Sequence, residues 1–291
     1  MLQGSFVALV TPFKNGSIDW TALEGLIQFH LDEGTDGILL LGTTAETAGL
    51  ASDEKDALLR FALQKIAKAV PVMIGTGTNN LSQTIANTQK AKDLGADFAL
   101  VITPYYIKPT QNGMIEYFSA VASQVDIPIV IYNVPGRTGV NMAAATTARL
   151  SHSHTNIVGI KEASGNLVQA TYVLKDAKAG FSLMSGEDAL NLPLMAIGAK
   201  GCISVTANVV PRLMHEHIAS CLAQDFVSAA KQHRYLARLN DLMFIETNPI
   251  PAKEALAMMG KIAPEFRTPI CPLQEANREI LRKGLQDYNL I

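Results

Sequence analysis

Short apolar runs rich in valine, isoleucine and leucine recur eight times along this chain, and stretches with helical spacing lie between them. The runs predict strands at Phe6–Val10, Gly37–Leu41, Val72–Gly75, Phe98–Ile102, Ile129–Tyr132, Ile157–Ile160, Ser182–Met184 and Gly201–Ser204. Unbroken apolar runs of this length suit strands buried on both faces, as in a parallel sheet. Helices are predicted over Thr21–Glu33 behind Asp19 as cap, Asp53–Ala69 behind Ser52 as cap, and Ser82–Leu94, which stops at Gly95. Strand then helix, eight times, predicts an α/β fold of the (β/α)8 TIM-barrel type. An open doubly wound sheet shares the alternation, but eight units favour closure. The chain has 291 residues, more than one closing helix needs after the eighth strand. Ala223–Asn240 and Pro251–Met259 read as helical. The predicted division is therefore a barrel over 1–224 carrying the active site and a small helical region over 225–291 packed on it.

Charge and cysteine usage narrow the function classes. Lys and Arg number 24 against 26 Asp and Glu, a net charge of −2, so no basic excess draws the chain to nucleic acid or anionic membrane. Cys202, Cys221 and Cys271 lie far apart without a CxxC pair, which predicts reduced thiols in a cytoplasmic protein. The opening MLQGSFVALVTPFKNG lacks the basic and small-residue signature of a secretory leader. The apolar runs are too short to span a bilayer. An intracellular enzyme is the expectation.

In a barrel, chemistry is expected where strands end. The reactive side chains following the runs are Thr43-Thr44, Thr103 to Tyr106, Tyr132-Asn133 with the loop to Gly139, Lys161-Glu162, Ser185-Gly186-Glu187 and Thr206-Ala207-Asn208. Lys161 follows a buried run directly. Burying an ammonium is costly, so such a place favours the neutral amine, a nucleophile that forms Schiff bases with carbonyls. A lysine paired with a carboxylate is the plainer reading; Glu162 is not the obvious partner, because adjacent strand residues point to opposite faces. Tyr132 ends the preceding strand and could shuttle protons to a carbinolamine, or simply pack its ring. Arg137 lies in a Pro- and Gly-shaped loop and suits a bidentate carboxylate contact, or is an ordinary surface arginine. Thr43-Thr44, before a helix, can hold an anion or merely cap. Gly75-Thr76-Gly77 is no dinucleotide fingerprint, since Asn80 occupies the third glycine's place. His215 and His217 do not share a helix face, so no metal site is expected, and both are placed on a solvated face. Cys202 reads as an inert core thiol.

Gly42-Thr43-Thr44-Ala45-Glu46, Pro104-Tyr105-Tyr106, Tyr132 to Gly139 and Gly159-Ile160-Lys161-Glu162 closely resemble the pyruvate-dependent class I aldolase family. The likeness continues through Gly201 to Asn208 and through Asn248-Pro249-Ile250-Pro251-Ala252-Lys253, nearly the whole chain. It implies a barrel with a C-terminal helical region, assembled as a homotetramer, and no metal or organic cofactor. It implies condensation of pyruvate with L-aspartate 4-semialdehyde to 4-hydroxy-tetrahydrodipicolinate, on the diaminopimelate route to lysine. Lys161 would form the imine. Tyr132 would move protons, linked through Thr43 to Tyr106 from a neighbouring subunit. Thr44 and the main-chain carbonyl of Ile203 would hold pyruvate, with Gly186 also at the substrate site, and Arg137 would receive the semialdehyde carboxylate. Ala45 departs from the family, which usually has glycine there.

Two other functions fit the same fold. One is a sialic acid or sugar-acid lyase, which has less use for Arg137 and the Tyr105-Tyr106 pair. The other is a silent small-acid-binding regulator, which would not need Lys161, Tyr132 and Thr43. Members of the family inhibited by lysine carry histidine or glutamate where this chain has Lys55, often histidine at Ser52, and glutamate at Gln83. The resemblance therefore implies weak or absent feedback inhibition.

Overall fold

The computed structural model describes residues 2–291. Eight of its strands are β1 (Gly4–Ala8), β2 (Gly37–Leu40), β3 (Val72–Gly75), β4 (Phe98–Ile102), β5 (Ile129–Asn133), β6 (Ile157–Glu162), β7 (Ser182–Ser185) and β8 (Gly201–Ser204). Their order, β1-β8-β7-β6-β5-β4-β3-β2, closes into a barrel, and the registered pairs are parallel. The barrel expectation holds, and the open sheet is excluded. A two-stranded antiparallel hairpin, Phe13–Lys14 with Ser17–Ile18, was not anticipated.

The predicted strands match within two residues: β1 lies two residues earlier than predicted and β2 stops before Leu41, while β5, β6 and β7 extend into the polar residues that end their runs. β5 takes in Asn133, and β6 takes in Lys161 and Glu162. These side chains hang from the ladder itself and not from the loops beyond it. The predicted Ser52 cap is wrong: Ser52 is the first helical residue of Ser52–Ile66, and Ala51 is the N-cap. Ala51 has no side-chain acceptor for the helix amides; Glu54 takes the N–H of Ala51 itself at 3.0 Å, the returning half of a capping box. Asp19 caps Trp20–Asp32 as expected, accepting from the Ala22 amide at 3.0 Å.

By compactness the described chain forms two units. The first, residues 2–4 with 71–203, carries β3 to β7 and its own layer of helices. In Gln111–Gln124, Met114, Tyr117, Phe118, Val121 and Ala122 are the buried residues. That is the i, i+3, i+4, i+7, i+8 stripe of a helix laid on a sheet. The second unit, residues 5–70 with 204–291, carries β2 and the helices Pro211–Leu222, Phe226–Leu242, Ile250–Met258 and Glu275–Asp287. Phe226–Leu242 starts at Asp225, which accepts from the Ser228 amide. Its Tyr235 meets Tyr288 edge to face, with ring centroids 5.0 Å apart. Among the described residues no helix is long and apolar enough to cross a membrane.

Candidate active site

Tyr132 and Lys161 are direct partners in the β5–β6 register. Parallel pairing carries both side chains to the same face of the ladder. Both are buried, Lys161 at 5% and Tyr132 at 7% exposure. The Lys161 Nζ lies 4.5 Å from the centre of the Tyr132 ring. An amine and a phenol are thus brought together in a place with little water.

Gly186 makes room for the stem of that lysine. A Cβ on Gly186 would stand 3.1 Å from both Cγ and Cε of Lys161 and 2.8 Å from Cβ of Ala163. Its N–H donates to the Glu162 carbonyl at 2.8 Å, which fixes the backbone beside the lysine stem. Next in the chain, burial and the Asp188 charge push the Glu187 carboxyl up from its ordinary value, and Lys161 opposes the rise.

The other face of the same two strands is locked by amides. Asn133 pairs with Glu162 one step along the register, and its Nδ2 lies 3.2 Å from each carboxylate oxygen. Glu162 also accepts from the Ser164 N–H at 2.8 Å and from Gln169 Nε2 at 3.1 Å. Asn141, at the end of the Arg137 loop, accepts from Asn133 at 2.8 Å and donates to Gln169 at 2.7 Å. Glu162 is therefore a partner of these amides and not of Lys161, as the alternation of strand faces implied. Asn141 and Gln169 escaped the sequence reading because nothing local marks them; only the strand pairing brings them to Glu162.

The loop after β5 folds into one helical turn, Pro135–Thr138, closed by Gly139 at φ 72, where a side chain is disfavoured. Arg137 is exposed on that turn. Tyr106 follows β4 with φ 72 and 86% exposure, so the ring projects away from the chain that carries it. Ile203 is buried within β8, in the same unit as Lys161.

In the second unit, Thr43, Thr44 and Ala45 form a 3-10 turn after β2. Thr44 is buried, and its Oγ1 accepts from Asn248 Nδ2 at 2.9 Å. Ala45 accommodates the loss of the family's glycine, because the left-handed position of the turn belongs to Glu46, φ 54. The Glu46 carboxylate takes Lys253 Nζ at 2.5 Å and the Arg267 N–H at 2.8 Å. Lys253 and Glu46 are almost wholly buried. Neither was singled out from sequence beyond its place in a motif.

The two histidines set aside as solvated behave differently from one another. His215 Nδ1 lies 3.0 Å from Asp36, partly exposed. His217 is buried, with its ring 5.6 Å from that of His233. The spacing correctly separated their faces; one of those faces is core. Cys202 is fully buried, as expected of a core thiol.

Residues 1–288 match the dihydrodipicolinate synthetase family model. A 4-hydroxy-tetrahydrodipicolinate synthase of Hydrogenobaculum sp. is 45% identical over 291 residues, all of both chains. The crystal structure of dihydrodipicolinate synthase from Aquifex aeolicus is 46% identical, with TM-score 0.98 over 99% of each chain. A monomeric dihydrodipicolinate synthase variant is 39% identical, with TM-score 0.98 over 99% of this chain and 97% of that one.

Proposed function

The chain belongs to the dihydrodipicolinate synthetase family, and from that premise we propose that Lys161 and Tyr132 are its reacting pair. The reaction is the condensation of pyruvate with L-aspartate 4-semialdehyde to give 4-hydroxy-tetrahydrodipicolinate, a lyase reaction of lysine biosynthesis. The observation that carries the site assignment is the buried amine of Lys161 over the Tyr132 ring, its stem passing beside Gly186.

The chemistry follows from that arrangement. The Lys161 amine adds to the C2 carbonyl of pyruvate, and the carbinolamine loses water to become an imine. Tyr132 passes the protons that this step requires, because a phenol within reach can both give and take one. Loss of a proton from the pyruvate methyl turns the imine into an enamine, whose carbon attacks the aldehyde of the second substrate. The new alkoxide takes up a proton. The amine of the semialdehyde then adds to the imine carbon and expels Lys161, which leaves as the free amine while the ring closes. The net balance is two substrates in, one cyclic product and one water out.

Thr44 and the Ile203 carbonyl hold pyruvate, Thr43 and Tyr106 extend the proton path from Tyr132, and Arg137 receives the semialdehyde carboxylate. The working form is a cytoplasmic homotetramer. The exposed run Tyr105-Tyr106-Ile107 and the exposed Val168 and Tyr172 support assembly, since such apolar side chains gain by being covered. Turnover with pyruvate and aspartate semialdehyde, against pyruvate with N-acetylmannosamine, tests the reading. Turnover of the first pair is expected, and preference for the second would overturn it.

A further inference from the structure

Thr44 reaches its proposed ligand with a hydroxyl, and a hydroxyl has one hydrogen to give and two lone pairs to receive. Its hydrogen goes wherever its neighbours leave an acceptor. Asn248 decides the matter here, because its Nδ2 donates to Thr44 Oγ1 at 2.9 Å in buried surroundings. An amide nitrogen cannot accept, so the Thr44 hydrogen is directed away from Asn248. A hydroxyl arranged in this way presents a donor, which is what a carboxylate requires.

The same C-terminal segment grips the turn a second time. Five residues beyond Asn248, Lys253 in helix Ile250–Met258 reaches Glu46, which holds the left-handed position after Ala45. Lys253 is packed over Phe13 at 4.3 Å and Phe266 at 5.0 Å from the ring centres. Arg267 closes the group from the chain beyond, giving its N–H to Glu46 and its guanidinium to Glu54 at 2.7 Å. Two contacts on one segment, at Thr44 and at Glu46, fix both the place and the rotation of the turn.

We propose that Asn248 is a positioning residue that sets the hydrogen-bond polarity of Thr44, making it a donor to the pyruvate carboxylate, and that Lys253 holds Asn248 in register by anchoring Glu46. The proposal rests on the assignment of Thr44 to pyruvate.

Steady-state kinetics of Thr44→Val, Asn248→Leu, Asn248→Asp and the double variant Thr44→Val/Asn248→Leu test it, with folding checked by circular dichroism. Asn248→Leu keeps the shape and removes the donor. The KM for pyruvate is expected to rise about tenfold, the low end for a charge-assisted hydrogen bond. The KM for aspartate semialdehyde is expected to stay within about twofold, and in the Thr44→Val background the same change is expected to add less than about twofold. Asn248→Asp replaces the donor by an acceptor and is expected to do more harm to pyruvate binding than leucine does. That variant decides the question if leucine fails to fold. An unchanged pyruvate KM in Thr44→Val would overturn the assignment of Thr44 itself. A raised KM in Thr44→Val, with both Asn248 variants within about twofold of the parent, would overturn the role of Asn248 alone. So would an Asn248→Leu effect undiminished by Thr44→Val.

Discussion

Replacing Glu46 by glutamine would leave Lys253 charged in a place with almost no water. The two groups stand 2.5 Å apart with side-chain exposures of 0% and 1%. At an effective dielectric near 20, that separation corresponds to an attraction of roughly 6–7 kcal/mol. Desolvation of each ion costs several kcal/mol, so the intact pair is close to neutral in net stability. Removing one partner forfeits the attraction and keeps the other's desolvation. Glu46→Gln should therefore lower the unfolding free energy by about 3–5 kcal/mol, whereas Glu46→Gln/Lys253→Met, which removes both charges, should lose about 2 kcal/mol or less. The pH dependence has a definite sign. Burial holds the Lys253 ammonium below its ordinary value, and the Glu46 charge opposes that fall. Without Glu46 the value drops further. Between the folded and unfolded values the unfolded chain binds more protons, so stability rises with pH in that window. The deficit of Glu46→Gln should shrink as pH is raised from about 7 to about 9.5, approaching the ordinary lysine value. Urea unfolding followed by circular dichroism, at one fixed protein concentration, measures all three chains. A deficit under about 1 kcal/mol in the single variant, a double variant no more stable than the single one, or a deficit that grows with pH would refute the argument.

Gly186→Ala should intrude on the stem of Lys161, where its Cβ would sit 3.1 Å from Cγ and Cε. Overpacking of this kind costs about 1–3 kcal/mol, and the loss should appear in the rate of imine formation with pyruvate; an unchanged trapping rate would show that the lysine yields freely. Arg137→Ala should lower kcat/KM for aspartate semialdehyde by about ten- to a hundredfold while pyruvate trapping stays near that of the parent. Equal damage to both steps would make Arg137 structural. Lysine should inhibit weakly or not at all. Gln83 is a neutral amide engaged with Asn87 at 2.8 Å, and by resemblance Lys55 stands where lysine-inhibited members carry histidine or glutamate, so it would add a cation against a charged amino acid. Initial rates across a lysine titration measure this, and strong inhibition at sub-millimolar lysine would contradict it.

The barrel was legible because strands buried on both faces leave continuous apolar runs, and those runs needed no partner to be seen. The rim pair was legible for a related reason: Lys161 and Tyr132 are the first reactive side chains after such runs. What escaped was whatever depends on distant pairing. Glu162 gave no sign that Asn133, Asn141 and Gln169 would satisfy it, because only the β5–β6 register and the helix beyond it bring them together. Lys253 looked like any lysine in a short helix, and its burial against Glu46 spans 207 residues of sequence. Spacing tells which residues share a face and not which face is covered, so it misplaces the buried His217 in solvent. Ser52 reads as a cap by residue type alone, yet it is the first helical residue, and Glu54 takes the N-cap amide from within the helix.

The central claim is that the Lys161 amine attacks pyruvate. Borohydride reduction of the enzyme in the presence of pyruvate, followed by peptide mass spectrometry, tests it directly. The expected result is one reduced pyruvate adduct on the peptide containing Lys161, absent when pyruvate is omitted and absent in Lys161→Ala. An adduct on another lysine, or an active enzyme that traps none, would contradict the account.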